Sequence, residues 1–344
     1  MEYQGKYKIF DAAAVKTYPL GTRPNKVKLE NILRPSDVGK MEFNLPTEAV
    51  SMIETVAQEI VSVRKENKPV IFFAGAHLIK NGLGGLLADL IGRGAATLVA
   101  GSGATAIHDF ELALVGETSE YVPDTLSKGR FGMAYEFAYI NYALSIGNEQ
   151  KLGYGETLGK MICDAGFRSQ VLSSVAKDSP RDFLHPEVSV LAACYRNNVP
   201  FTVHVGIGAD VTDQHPSFDG QAKGGCSGRD FLIYTSEITK FTDGGVILNI
   251  GSAVTGPEVL LKAVSMAANT GKAPNNILTA DFDLRRHEPA QMTDESSQGY
   301  YFRDQKSIVT RIPRAFAGRG LYIEADQKQT FPLLYKKIME KWQH

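Results

Sequence analysis

Four of the chain's seven histidines fall where apolar runs end, and acids accompany them. His77 follows Ile71-Phe72-Phe73-Ala74-Gly75-Ala76, and Lys80 lies one turn on. His108 and Asp109 follow Leu98-Val99-Ala100-Gly101-Ser102-Gly103. His204 closes Val199-Pro200-Phe201-Thr202-Val203, and Asp210, Asp213 and His215 come just after. Imidazole moves protons near neutral pH. His77, Lys80, His108 and Asp109 are therefore candidates for acid–base work and for polarising a substrate. The alternative for His108-Asp109-Phe110-Glu111 is stabilisation of a helix start by its acids. His204, Asp210 and His215 also carry the donor types that hold zinc, iron or manganese. Their spacing follows no strict metal motif, so hydrogen bonding to a polar ligand is the competing expectation.

Glycine-bearing turns, Gly101-Ser102-Gly103 and Gly251-Ser252, follow two of the runs. Glycine lets a backbone approach a phosphate, and a following helix favours an anion. Neither turn is a full GxGxxG. The stretch 220–228 is also glycine-rich but lacks P-loop spacing, and it reads as a mobile lid or insertion. Cys226 within it is a candidate nucleophile by type, but nothing in the sequence argues for the lowered pKa that role needs.

These groups must be positioned by the elements between them. Apolar runs of four to six residues at 69–73, 96–100, 199–203, 245–249 and 276–279 are each followed by polar or glycine residues. Helical patterns are read at 47–65, 78–91, 108–115, 131–177, 257–268 and 331–342. Alternation of short strands with helices indicates βαβ units and an α/β fold with a parallel sheet. Strands covered by helices on both faces lose the two-residue alternation. Right-handed crossovers place every strand C-terminus on one rim, where ligands of such sheets bind.

Residues 1–45, with Pro19, Pro24 and Pro35, read as an N-terminal arm, and 46–344 as a single domain. The formal charge of -1 offers no general field for nucleic acid or an anionic membrane. Three cysteines without a CxxC pair point to a reducing compartment. No run of about 18 apolar residues predicts a membrane span. A cytoplasmic protein with a small-molecule substrate is expected.

The order of these motifs resembles the deoxyhypusine synthase family. The resemblance rests on 71–82, Thr97 to Ala104, Asp109, His185-Pro186-Glu187, Ala209-Asp210, Ile250 to Val254, Thr279-Ala280-Asp281-Phe282-Asp283 and Phe331-Pro332-Leu333-Leu334. It implies a Rossmann-like sheet, NAD, a transferase and a homotetramer. It also implies NAD contacts at Gly101, Ser102, Gly103, Asp210, Gly251, Ser252 and Asp283. The family's nucleophilic lysine is replaced, with Arg311 at its place and Lys306 five residues earlier. Arginine stays protonated and forms no imine. Gly256-Pro257-Glu258 stands at the family's base histidine, leaving Glu258 to take protons. The resemblance thus implies an NAD-dependent enzyme acting on a small polar or amine substrate. A metal-assisted hydrolase or lyase, or deoxyhypusine or homospermidine synthesis through Lys306, are the alternatives.

Overall fold

The computed structural model describes residues 3–175, 182–286, 288–292 and 294–342. His287, His344 and Lys177, the end of one expected helix, lie outside these residues. Eight strands are present among them: β1 Asn25–Lys28, β2 Val70–Ala74, β3 Leu98–Ser102, β4 Glu117–Glu120, β5 Phe201–His204, β6 Val246–Ile250, β7 Leu278–Asp283 and β8 Arg319–Glu324. Six form one sheet in the order β5-β3-β2-β6-β7-β8, with every pairing parallel. Counted along the chain, that order is 3-2-1-4-5-6. The chain works outward from β2 to β5, then crosses back to β6 and works outward the other way. The reversal lies between β2 and β6, in the middle of the sheet.

Residues of β2 alternate between two cores. Val70, Phe72 and Ala74 join the larger one, with Ile53, Val56 and Ile60 of the helix Thr47–Lys65 and Phe331 and Leu334 of the helix Gln327–Trp342. Ile71 and Phe73 join the other, with Tyr234 and Ile238 of the helix Gly220–Ile238 and Leu260 and Val264 of the helix Thr255–Asn269. Helices therefore cover both faces, and continuous apolar strands are the direct consequence. The edge strand β5 is guarded by Asp230, whose Oδ2 accepts from Val203 N at 2.7 Å and Gly155 N at 3.0 Å. Burial pushes that carboxyl up to about 8 against these amides.

Several sequence expectations change. The glycine-rich stretch 220–228 is not a lid: it opens the 19-residue helix Gly220–Ile238, capped by Asp219 through Gln221 N and Ala222 N. The expected helix 78–91 is two helices, Ala76–Lys80 and Gly84–Gly92. The stretch 131–177 contains three helices, Phe137–Glu149, Tyr154–Cys163 and Ala165–Leu172. β8 and the antiparallel ribbon of β1 with β4 were not expected at all. The ribbon fastens the arm to the domain, and Leu20 and Val38 enter the larger core. Among the described residues, no helix is long and apolar enough to cross a membrane.

Candidate functional site at the strand termini

Ala74, Ile250 and Phe282 stand in register where β2, β6 and β7 finish, with β7 running one residue further. At the reversal point the turns after β2 and β6 touch through their backbones. Gly75 N donates to Ile250 O at 2.8 Å, and Gly251 N donates to Phe282 O at 3.1 Å. A Cβ on Gly75 would lie 2.2 Å from Gly251 O. Gly251 has φ +67, a left-handed conformation that glycine adopts without a Cβ penalty. Ser252 Oγ then accepts from Gly256 N at 2.9 Å, in the first turn of the helix Thr255–Asn269.

Two clefts open along this rim. One, about 190 Å³, is lined by His77, Asn81, Gly251, Asp283, Asp326 and Gln327, among others. Asp283 lies at the end of β7 and is gripped by Arg285, whose Nη2 is 2.5 Å from Oδ2. Hydrogen bonds and charge from Arg285 overcome burial and hold Asp283 below the usual carboxylate range. The other cleft, about 210 Å³, is lined by Arg23, Lys80, His108, Glu111, Glu120 and Asp210, among others. Lys80 makes no ion pair among the described residues. The short helix Ala76–Lys80 stands between the clefts, with His77 on one and Lys80 on the other. Partial desolvation, then the charges of Lys80 and His108, pull His77 below its ordinary pKa.

His108 lies on the first turns of the helix Gly103–Val115. Its Nδ1 is 2.7 Å from Thr118 Oγ1, and Thr118 donates in turn to Glu111 Oε2. Arg23, from the arm, donates to Glu111 Oε1 at 2.7 Å and lies 3.7 Å from Glu120. Burial opposes ionisation of Glu111, yet Arg23, His108 and Thr118 together hold its carboxyl below the usual range. Arg23 and Thr118 escaped the sequence reading. The first lies 88 residues from its partner, and the second sits in a short polar strand with no apolar pattern.

Asp109 turns away from the rim. Its carboxylate accepts from Ser189 Oγ, Val190 N at 2.7 Å and Leu191 N at 3.0 Å, capping the helix Val190–Arg196. Burial raises it to about 6 despite these donors. Glu258 lines neither cleft. It pairs with Lys262 and lies 3.7 Å from Arg303, and Lys262 in particular keeps it ionised. Gly101 and Ser102 build the turn after β3: Ser102 and Thr105 cap each other, and Thr105 donates to Ala74 O at 2.9 Å. A Cβ on Gly103 would fall 2.1 Å from Asp210 Oδ2, so a carboxylate already lies against this helix start.

The metal set does not assemble. His204 stacks on Phe73 at 5.8 Å, meets Tyr234 edge-on at 5.3 Å and shares a hydrogen bond with Thr202. Asp210 is paired with Lys223 at 2.7 Å, and His215 Nδ1 is engaged by Ser217 N at 3.0 Å. Among the described residues, no group of three His, Cys, Asp or Glu is placed to share an ion. Cys226 is buried in the core. Lys306 is buried beneath Tyr300, its Nζ 2.9 Å from the ring centroid, and lines neither cleft. Arg311 is exposed.

Burial drives His204 down to about 4, against an ordinary value of 6.5. In the folded protein it stays neutral over that window, while the unfolded chain takes up a proton. Its contribution to stability is therefore complete above pH 6.5 and is lost as pH falls toward 4. The advantage of the wild type over a His204→Gln variant should shrink by on the order of 2–3 kcal/mol between pH 7.5 and 4.5. Urea midpoints at the two pH values measure it; a constant difference would show that His204 titrates normally.

No family model matches the chain. An ornithine cyclodeaminase of Archaeoglobus fulgidus is 26% identical over 163 residues, which make up 47% of this chain and 33% of that protein. The match thus spans about a third of the length of this curated relative. Among solved structures, the apo form of ArgZ, an arginine dihydrolase from the ornithine–ammonia cycle in cyanobacteria, superposes with a TM-score of 0.47 at 18% identity. It covers 86% of this chain and 32% of that one. A LOR/SDH protein from Methanococcus maripaludis S2 gives 0.47 and 16%, covering 90% and 74%. A ternary complex of AgrE with ornithine and NAD+ gives 0.45 and 18%, covering 88% and 34%. These structural similarities are too low to carry an argument, and the fold rests on the strand order above. The curated relative is an ornithine cyclodeaminase, so the deoxyhypusine synthase resemblance is corrected. Its short motifs are strand–turn–helix junctions, which any parallel sheet repeats in order.

Proposed function

We propose that the chain is an NAD-dependent enzyme acting on a small amine or amino acid at the strand-terminal rim. The observation that carries this is the reversal of strand order between β2 and β6, where the Gly75 and Gly251 turns meet. A parallel sheet of order 3-2-1-4-5-6 is the arrangement that holds dinucleotides at this crevice. The local residues fit one. Gly251 presents backbone without a side chain, and Asp283 offers a carboxylate to ribose hydroxyls from the end of β7. When bound, the nicotinamide would accept or return a hydride. The Lys80 ammonium would meet a substrate carboxylate or a phosphate, and His77 and His108 would handle protons. The amine class is supported by the partial similarity to an ornithine cyclodeaminase.

Titration of NADH into the protein, followed by nucleotide fluorescence, tests the reading. Saturable binding that NAD+ competes away is expected, with Asp283→Ala weakening it about tenfold, the loss of one charge-assisted hydrogen bond. Absence of binding at millimolar nucleotide would overturn it.

A further inference from the structure

The contacts around His108 fix where its proton sits. Glu111 is buried and ionised, held by Arg23 at 2.7 Å, so it can only accept. The contact between Thr118 and Glu111 must therefore use the Thr118 hydroxyl proton. A hydroxyl has one proton, and here it is spent. The 2.7 Å contact between Thr118 Oγ1 and His108 Nδ1 then requires the ring to donate. Thr118 is fully buried and Glu111 is 2% exposed, so water does not offer either group another partner.

We infer that Arg23, Glu111 and Thr118 act as positioning residues that lock neutral His108 as the Nδ1–H tautomer. Nε2 is left with its lone pair available to the cleft that His108 lines. A proton leaving a ligand N–H or O–H would bond to Nε2, the ligand keeping the electron pair. The ring would become imidazolium without disturbing the bond from Nδ1 to Thr118. The arm thereby becomes part of the reaction apparatus, because Arg23 sets the charge state on which the relay depends. The role of this base rests on the functional reading above, but the tautomer does not, since it is measured without cofactor or substrate.

Nitrogen-15 NMR of histidine-labelled full-length protein above neutral pH, assigned with a His108→Gln variant, reads the two ring nitrogens separately. A protonated Nδ1 and an unprotonated Nε2 are expected. A protonated Nε2 would overturn the inference, whatever the nucleotide titration shows. Thr118→Val leaves only the 3.6 Å approach of Nδ1 to Glu111 Oε2 to favour that position, so the Nδ1–H population should fall, and Thr118→Ser should restore it. Retention of Nδ1–H in folded Thr118→Val would remove Thr118 from the relay. If the valine variant fails to fold, the wild-type and serine spectra decide the question.

Discussion

Alanine at position 75 should cost the protein several kcal/mol and its nucleotide binding together. The backbone at Gly75, φ -69 and ψ 160, is one that any residue adopts, so the penalty is purely steric. The added Cβ would meet Gly251 O at 2.2 Å and Gly251 C at 2.6 Å, with Ile250 O at 3.1 Å. These are backbone atoms at the end of a central strand, bonded to β2 on one side and β7 on the other. They have no rotamer to change. Overpacking a core with a movable neighbour costs about 1–3 kcal/mol, and here the neighbour is fixed, so the upper end or more is expected. Gly251→Ala provides the contrast. Its φ is unfavourable, but its nearest neighbour is the Gln327 side chain at 3.2 Å, so a loss of about 1 kcal/mol is expected. Chemical denaturation of the two variants separates the effects. Equal midpoints for Gly75→Ala and wild type would show that the turns do not cross as described.

Removal of the Lys223 ammonium should be comparably damaging. Lys223 reaches Asp210 at 2.7 Å and also binds Asp213, and its side chain is 1% exposed. Burial raises Asp210, and Lys223 is the group that chiefly opposes the rise. A Lys223→Met variant would retain the volume and leave two buried carboxylates facing each other. Breaking a buried pair in this way costs about 3–5 kcal/mol. The carboxylates can be relieved by protonation, so the deficit should be smaller at pH 5 than at pH 8. Lys223→Met combined with Asp210→Asn should recover part of it. Urea unfolding across this set gives the answer; a single variant within 1 kcal/mol of wild type at pH 8 would mean that the pair is solvated.

The legible parts of the fold were those built from fully buried strands. Val70 to Ala74 and Val246 to Ile250 are apolar almost throughout because helices cover both faces, and such runs stand out without any partner being known. β8 did not stand out. Arg319, Gly320 and Glu324 break its pattern because it is the last strand, half exposed along its length. The helix Gly220–Ile238 was hidden by its glycines, which lower helix propensity. Its buried side, with Cys226, Asp230, Tyr234 and Ile238 four residues apart, was present in the sequence, but only Tyr234 and Ile238 are large enough to register as apolar. At the site, the placement of His77, Lys80 and His108 on the rim followed from strand ends alone. The roles of Asp109, Asp210 and His204 did not. Each is decided by a partner distant in sequence, namely Ser189, Lys223 and Phe73.

The ribbon of β1 with β4 has a thermal consequence. It pairs only a few residues of the arm with the strand that carries Thr118. Short two-stranded ribbons are marginal by themselves, and segments with few contacts open locally well before a sheet core melts. Leu20 and Val38 keep the rest of the arm in the core, so warming would open this ribbon first while the six parallel strands remain intact. Arg23 would leave Glu111, and the chemistry at His108 would fade at a temperature where the protein still counts as folded.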